Sequence, residues 1–258
     1  YIKIRLAIAA GGIVNHRRPD VDYSQWGAVE VQKLTKVKRI TGQRLQQAWQ
    51  TIPHVTQFDT ADITDLDAYR KAMKKNAAEE NIKVTFLPFL MKAIVRVLEE
   101  MPQFNSSLDH SGENLVLKHY YHLGVAVDTP QGLTVPVVQD VDQKSVLELS
   151  EALMDVSTRA RNKKLKPDEL KGGTFTISSL GGIGGTHFTP IVNPPEVAIL
   201  GVSRSHWQAV YDSVADQITP RYILPFSLSY DHQVIDGAAG AAFTSRFAAI
   251  LEDMEQFK

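Results

Sequence analysis

Short apolar runs bounded by Gly, Pro, Asn and Asp alternate along this chain with longer stretches whose apolar residues recur at helical spacing. The short runs predict strands over residues 52–58, 121–128, 133–141, 173–179, 197–202 and 223–230. The second and third of these are joined by Pro130-Gln131-Gly132, a turn of hairpin type. The helical spacing predicts helices over 66–80, 89–101, 146–162 and 241–256. Thr64 and Asp67 stand in capping-box spacing at the first, and Pro88 takes a tolerated first-turn position at the second. Strands and helices mix without strict β-α-β alternation. The expected fold is therefore α/β in the α+β manner, a mixed sheet with helices on one face.

Residues 1–10 read as a helix end stopped by Gly11-Gly12, and Asn15-His16-Arg17-Arg18-Pro19 has linker character. No repeat or low-complexity tract follows Val21, so residues 21–258 are expected to form one domain, with 1–20 the tail of an earlier unit. A length of 258 residues with 43% hydrophobic content is enough to bury a full core. Lys and Arg number 28 against 29 Asp and Glu, so no global field holds the protein on nucleic acid or an anionic membrane, and oligomers are unopposed. The chain has no cysteine, so any thiol in its chemistry comes from a substrate. No run reaches the roughly 18 apolar residues a spanning helix needs, and the apolar stretch at 6–10 is too short for a signal peptide. A cytosolic or organelle-matrix location is the default.

Two segments carry candidate chemistry. The apolar strand at 223–230 runs into Asp231-His232, then a second acid, Asp236, then Gly237 and small residues that open the last helix. A histidine leaving the end of a buried strand is held in place yet reaches a cleft, and its ordinary pKa suits proton transfer near neutrality. A free thiol is only about 3% thiolate at pH 7, so a base that takes its proton during attack raises the nucleophilic fraction. The plainer alternative is a packed, hydrogen-bonded histidine. Asp236 reads as one half of a structural ion pair, with Lys36, Lys38 or Arg39 as partners, or as an indirect orienter of the imidazole. A metal site is not expected, because no third ligand stands near His232 and Asp236 and no His-Glu-x-x-His pattern occurs.

The second segment, residues 172–185, is a strand with paired Ser178 and Ser179 leading into a glycine-rich loop. No Gly-Lys-Ser/Thr follows, and the dinucleotide spacing from Gly182 and Gly184 fails at His187, so phosphate binding is unsupported. A serine hydroxyl here can instead donate to an oxyanion formed when a thiol attacks a thioester, or the pair can simply end a strand. No Gly-x-Ser-x-Gly elbow is present, which disfavours a serine nucleophile. His54 and His187 read as structural or surface residues.

Taken together, these residues resemble the catalytic domain of the dihydrolipoamide acyltransferases, the E2 cores of 2-oxo acid dehydrogenase complexes. The resemblance covers residues 21–258 and rests on Ile52-Pro-His-Val-Thr-Gln-Phe58 with Ala61-Asp-Ile-Thr-Asp-Leu66, on residues 174–201, and on Leu228-Ser-Tyr-Asp-His-Gln-Val-Ile-Asp-Gly237. It implies a chloramphenicol-acetyltransferase-like, trimer-forming acyltransferase fold. It also implies that His232 deprotonates the incoming thiol, that Ser178 stabilises the tetrahedral oxyanion, and that Asp236 is the acid of the family motif. In such a trimer Ser178 would serve the His232 of a neighbour. The trimers would build a cubic or dodecahedral core, with coenzyme A and a lipoyl-lysine arm entering from opposite sides. The 52–66 and 193–202 segments look most like the acetyl-transferring members of pyruvate dehydrogenase.

The resemblance further implies E1 and E3 components as partners, no nucleic acid, no membrane, no metal, and a bacterial cytoplasmic or mitochondrial-matrix location. Residues 1–10 resemble the end of a peripheral-subunit-binding domain. No lipoyl-domain Asp-Lys-Ala segment is present, so the lipoyl-lysine is expected outside this segment. One departure stands out: Gln233 follows the motif histidine where the family usually has Arg. The rival readings are a largely non-catalytic E2-like scaffold and transfer of a succinyl or branched-chain acyl group.

Overall fold

The computed structural model describes residues 19–77 and 81–257. The helix end expected at 1–10, and the last three residues of the helix expected over 66–80, lie outside the described residues. The chain divides into two compact units, 1–34 and 35–258. In the first, Asp22 accepts from Ser24 N at 3.0 Å and caps a single 3-10 turn, Tyr23–Trp26.

The second unit is built on a seven-stranded mixed sheet. Its strands are β1 (His54–Asp62), β4 (Leu123–Val125), β7 (Val137–Val138), β8 (Phe175–Ser179), β9 (Ala198–Val202), β10 (His206–Asp212) and β11 (Gln217–Asp231). The path runs β1-β11-β9-β8-β4-β7, with β10 paired to the first half of β11. Only the β9-β8 and β8-β4 pairs are parallel. Among the described residues two small ribbons complete the strands, β2 (Ser106–Leu108) with β3 (Leu115–Leu117), and β5 (Val127–Thr129) with β6 (Gly132–Thr134). The second closes on Pro130-Gln131, the expected hairpin turn, with Thr129 facing Gly132.

Among the described residues five α-helices accompany the sheet: α1 (Lys36–Thr51), α2 (Thr64–Ala77), α3 (Leu87–Glu100), α4 (Val146–Arg161) and α5 (Gly237–Glu252). Nearly every side chain of α3 from Pro88 to Leu98 is buried, and α3 packs on α4 and α5. The α5 helix in turn covers β1 and β11, placing Phe243 against Phe104 and Phe175, and Phe247 against Phe226. Ser145 caps α4 through a capping box with Glu148.

Several sequence expectations needed correction. Helix α1 was not anticipated. Its sequence is largely polar and it buries only Ala48, so it lacks the apolar stripe that announces a helix. Helices are not confined to one face either. Successive β9 residues point to opposite sides, and Ala198, Leu200 and Val202 join the main core. Ile199 instead packs with Ala48 and Ile52 at the end of α1, and with Val192. The Thr64–Asp67 capping box is also absent. The Thr64 hydroxyl donates to Asp62, and Asp67 pairs with Arg70 and Lys71. Finally, the strands expected at 121–128 and 133–141 are each broken in two, by Ala126 and by Val135-Pro136. Among the described residues no helix is long and apolar enough to cross a membrane.

Candidate active site

β11 is buried continuously from Ile223 to Asp231, and the chain then turns sharply. Val234 N and Ile235 N both donate to Asp231 O at 3.0 Å, which closes the turn. His232 lies at its apex, exposed, so the strand carries a solvent-facing imidazole on a fully packed stalk. Its backbone N–H donates to Pro53 O at 3.1 Å, tying the turn to the start of β1.

The residues on either side of His232 are more tightly held. Asp231 N donates to Val197 O at 2.8 Å. The Asp231 carboxylate, 5% exposed, accepts from Gln233 N at 2.9 Å and from the Gln233 carboxamide at 3.1 and 3.3 Å. The same carboxamide nitrogen reaches Thr51 O, at the end of α1, at 3.3 Å.

Asp236 is the N-cap of α5, with its carboxylate accepting from Ala239 N at 2.8 Å. Among the described residues it makes no ion pair, so the pairing expected with Lys36, Lys38 or Arg39 is corrected to a helix cap. Capping satisfies an otherwise orphan N–H, and the positive end of the helix favours an anion there without any basic side chain.

Ser178 is half-buried on β8, and Ser179 beside it is exposed. Ser178 pairs with Gly201, and Gly201 with Ser227 of β11, five positions before His232. At about 3.4 Å per residue along a strand and about 4.8 Å between strands, Ser178 and His232 of one chain lie on the order of 20 Å apart. They stand at opposite ends of the sheet. Among the described residues no hydrogen bond joins the His232 imidazole to Ser178 or to Asp236.

His54 and His187 each make a packing contact away from that turn. His54 Nε2 accepts from Val192 N at 3.0 Å, which leaves the proton on Nδ1 to donate to Ile52 O at 2.9 Å. Its ring stacks on Trp49. His187 packs edge-on against Phe58 at 5.5 Å.

Sequence reasoning missed a cavity of about 500 Å³ lined by Thr51, Lys118, Tyr120, Gly173, Pro195 and Glu196. It sits at the His232 end of the sheet, since Thr51 is the residue that accepts from Gln233. Glu196 is buried there. Its carboxyl accepts from the Thr176 hydroxyl at 2.6 Å and from the Asn193 carboxamide at 3.4 Å. Burial pushes this carboxyl up to about 7 against those hydrogen bonds and the nearby Lys118. Burial likewise lowers the Lys118 ammonium. The signal available in the sequence was an acid standing directly before the wholly apolar strand Val197-Ala198-Ile199-Leu200.

Residues 27–258 match the model of the 2-oxoacid dehydrogenases acyltransferase catalytic domain. The chain belongs to the 2-oxoacid dehydrogenase acyltransferase family. Among its relatives is the dihydrolipoyllysine-residue acetyltransferase component of the pyruvate dehydrogenase complex of Pseudomonas aeruginosa, 52% identical over 246 residues, 95% of this chain and 45% of that protein. The Bacillus subtilis counterpart is 40% identical over 223 residues, 86% of this chain and 50% of that protein. The chain thus spans about half the length of the curated relatives it matches. A solved structure of the Azotobacter vinelandii dihydrolipoamide acetyltransferase superposes with a TM-score of 0.91 at 51% identity, covering 93% of this chain and 98% of that one. That work concerned a serine, a histidine and an asparagine in the catalytic mechanism. The cubic core of a pyruvate dehydrogenase multienzyme complex matches with a TM-score of 0.90 at 50% identity, over 93% of this chain and 98% of that one.

Proposed function

We propose that this acyltransferase moves an acetyl group between dihydrolipoamide and coenzyme A, and that its copies form the inner core of a pyruvate dehydrogenase complex. The observation that carries the reading is the exposed His232 imidazole at the tip of a buried strand, in a chain about half identical to acetyltransferase components of that complex. In the forward reaction His232 takes the proton of the coenzyme A thiol as sulfur attacks the acetyl thioester. The carbonyl oxygen becomes an oxyanion, and the Ser178 hydroxyl donates to it. Collapse expels the dihydrolipoamide thiolate, which recovers the proton from His232, leaving acetyl-CoA.

Ser178 and His232 meet only across an interface, because one chain holds them at opposite ends of its sheet. The trimer that the family resemblance implies would bring each serine to a neighbour's histidine through a heterologous, ring-closing interface. The likeness to a cubic core supports further assembly of such trimers. The lipoyl-lysine arm would be supplied from outside these residues, E1 and E3 components would be the partners, and the bacterial relatives favour the cytoplasm.

Asp236 acts as a positioning residue. In the Azotobacter protein the asparagine stands four places beyond the histidine, as Asp236 does here. Asn and Asp share strong N-capping, not charge, so the cap that opens α5 is the property common to both.

The test is acyl transfer from acetyl-CoA and from succinyl-CoA to free dihydrolipoamide, with assembled particles of unchanged size. Acetyl transfer is expected to fall by orders of magnitude in His232→Ala, and by about 100- to 1000-fold in kcat in Ser178→Ala. Equal rates in native protein and His232→Ala would leave a scaffold without this chemistry. A succinyl preference would move the substrate assignment.

A further inference from the structure

The turn that presents His232 is held by contacts on both sides of the histidine, and these converge on one side chain. Asp231 is buried at the strand end, and the partners of its carboxylate among the described residues are the backbone N–H and carboxamide of Gln233. The Gln233 carboxamide nitrogen also points at Thr51 O, which belongs to α1 rather than to the sheet. His232 N is fixed to Pro53 O, two residues further along. The peptide carrying the imidazole is thus flanked by a bridge from β11, through Gln233, to the α1–β1 junction.

We propose that Gln233 is a positioning residue for the acyl-transfer site, clamping the Asp231 carboxylate to the end of α1 so that the His232 imidazole keeps its direction. This rests on the function proposed above.

The chemistry of the clamp is specific to an uncharged donor. A carboxamide gives one N–H to the buried carboxylate and one to the Thr51 carbonyl, which satisfies two acceptors at once. A thioether of similar length gives neither. A second carboxylate at the same place faces Asp231 at hydrogen-bonding distance, where like charges in a partly buried site repel strongly. Because the imidazole must meet a thiol held by another part of the assembly, a shift of about 1 Å is expensive, on the order of 100-fold in rate.

The experiment uses the assembled core and four variants: Gln233→Met, Gln233→Glu, the pair Gln233→Glu with Asp231→Asn, and His232→Ala. For each, kcat and KM of acetyl transfer are measured across the pH range. Gln233→Met is expected to lower kcat by about 10- to 100-fold with little change in KM. Gln233→Glu is expected to fall further at high pH, and its rate relative to the native core should climb as pH falls and one carboxyl is protonated. The paired variant removes the like charges but leaves the Thr51 carbonyl without its donor, so it should lose the extra high-pH fall of Gln233→Glu and settle near the rate of Gln233→Met. Native kcat and an unaltered pH profile in Gln233→Met and Gln233→Glu would overturn the clamp while His232→Ala remains dead. An extra high-pH loss in Gln233→Glu that the Asp231→Asn partner does not remove would overturn it as well. A native core without acetyl transfer, or an active His232→Ala, would instead overturn the underlying function, and the clamp with it.

Discussion

Glu196 holds a carboxyl where its ionised form is costly. Its pKa is raised from 4.5 to about 7 because burial outweighs the Thr176 and Asn193 hydrogen bonds. An unfolded chain releases that proton near pH 4.5, whereas the folded chain keeps it until near 7. The group's contribution is therefore fully present below pH 4.5 and is lost as pH rises through 7. A Gln at this place still accepts from Thr176 and never ionises. Glu196→Gln is expected to stabilise the protein at pH 8 by up to about 3 kcal/mol, with the gain vanishing toward pH 4.5. Urea unfolding at several pH values checks this, and a gain that does not change with pH would refute it. Of the residues at this end of the sheet, His232 was legible in the sequence because a histidine at an apolar strand's end is a local pattern. The Asp231–Gln233–Thr51 bridge was not, because Thr51 lies 182 positions from Gln233 along the chain.

The same contrast holds among the elements. β11 was anticipated over 223–230, where apolar residues dominate, yet it begins six residues earlier at Gln217. Its first half pairs with β10, whose residues are almost all exposed, so neither strand segment carries the apolar signal of a buried strand. α5 was expected from its small and apolar residues, but sequence alone did not explain why they must be small. At Gly240 a Cβ would lie 2.7 Å from Tyr230 Cε1, closer than real Cβ contacts allow, and Tyr230 is fully buried. Helix propensity by itself favours Ala over Gly by about 1 kcal/mol. Overpacking against a ring that cannot retreat costs about 1–3 kcal/mol and wins. Gly240→Ala is thus expected to be destabilised overall in thermal unfolding, and a raised Tm would show that α5 can shift away from β11.

For the molecule as a whole, sheet register decides more than any single residue. The serine and histidine segments were both readable as sequence, and the resemblance supplied their division between neighbours. The separation within one chain emerged only from the parallel β8-β9 and antiparallel β9-β11 pairings. Mixing tests the division directly. Cores of His232→Ala and of Ser178→Ala are each expected to be nearly inactive, while dissociating and reassembling them together should restore up to about one site in three. No recovery in verified mixed trimers would place both groups in the same subunit.

On the proposed reading a lone protomer holds two half-sites and no complete one. Diluted until the ring comes apart, it is expected to keep its secondary structure and its core and still to turn over nothing. Specific activity should then rise with protein concentration as the rings close. The quantity that sets the working rate in dilute solution becomes the association constant between copies, not the folding stability of any one of them.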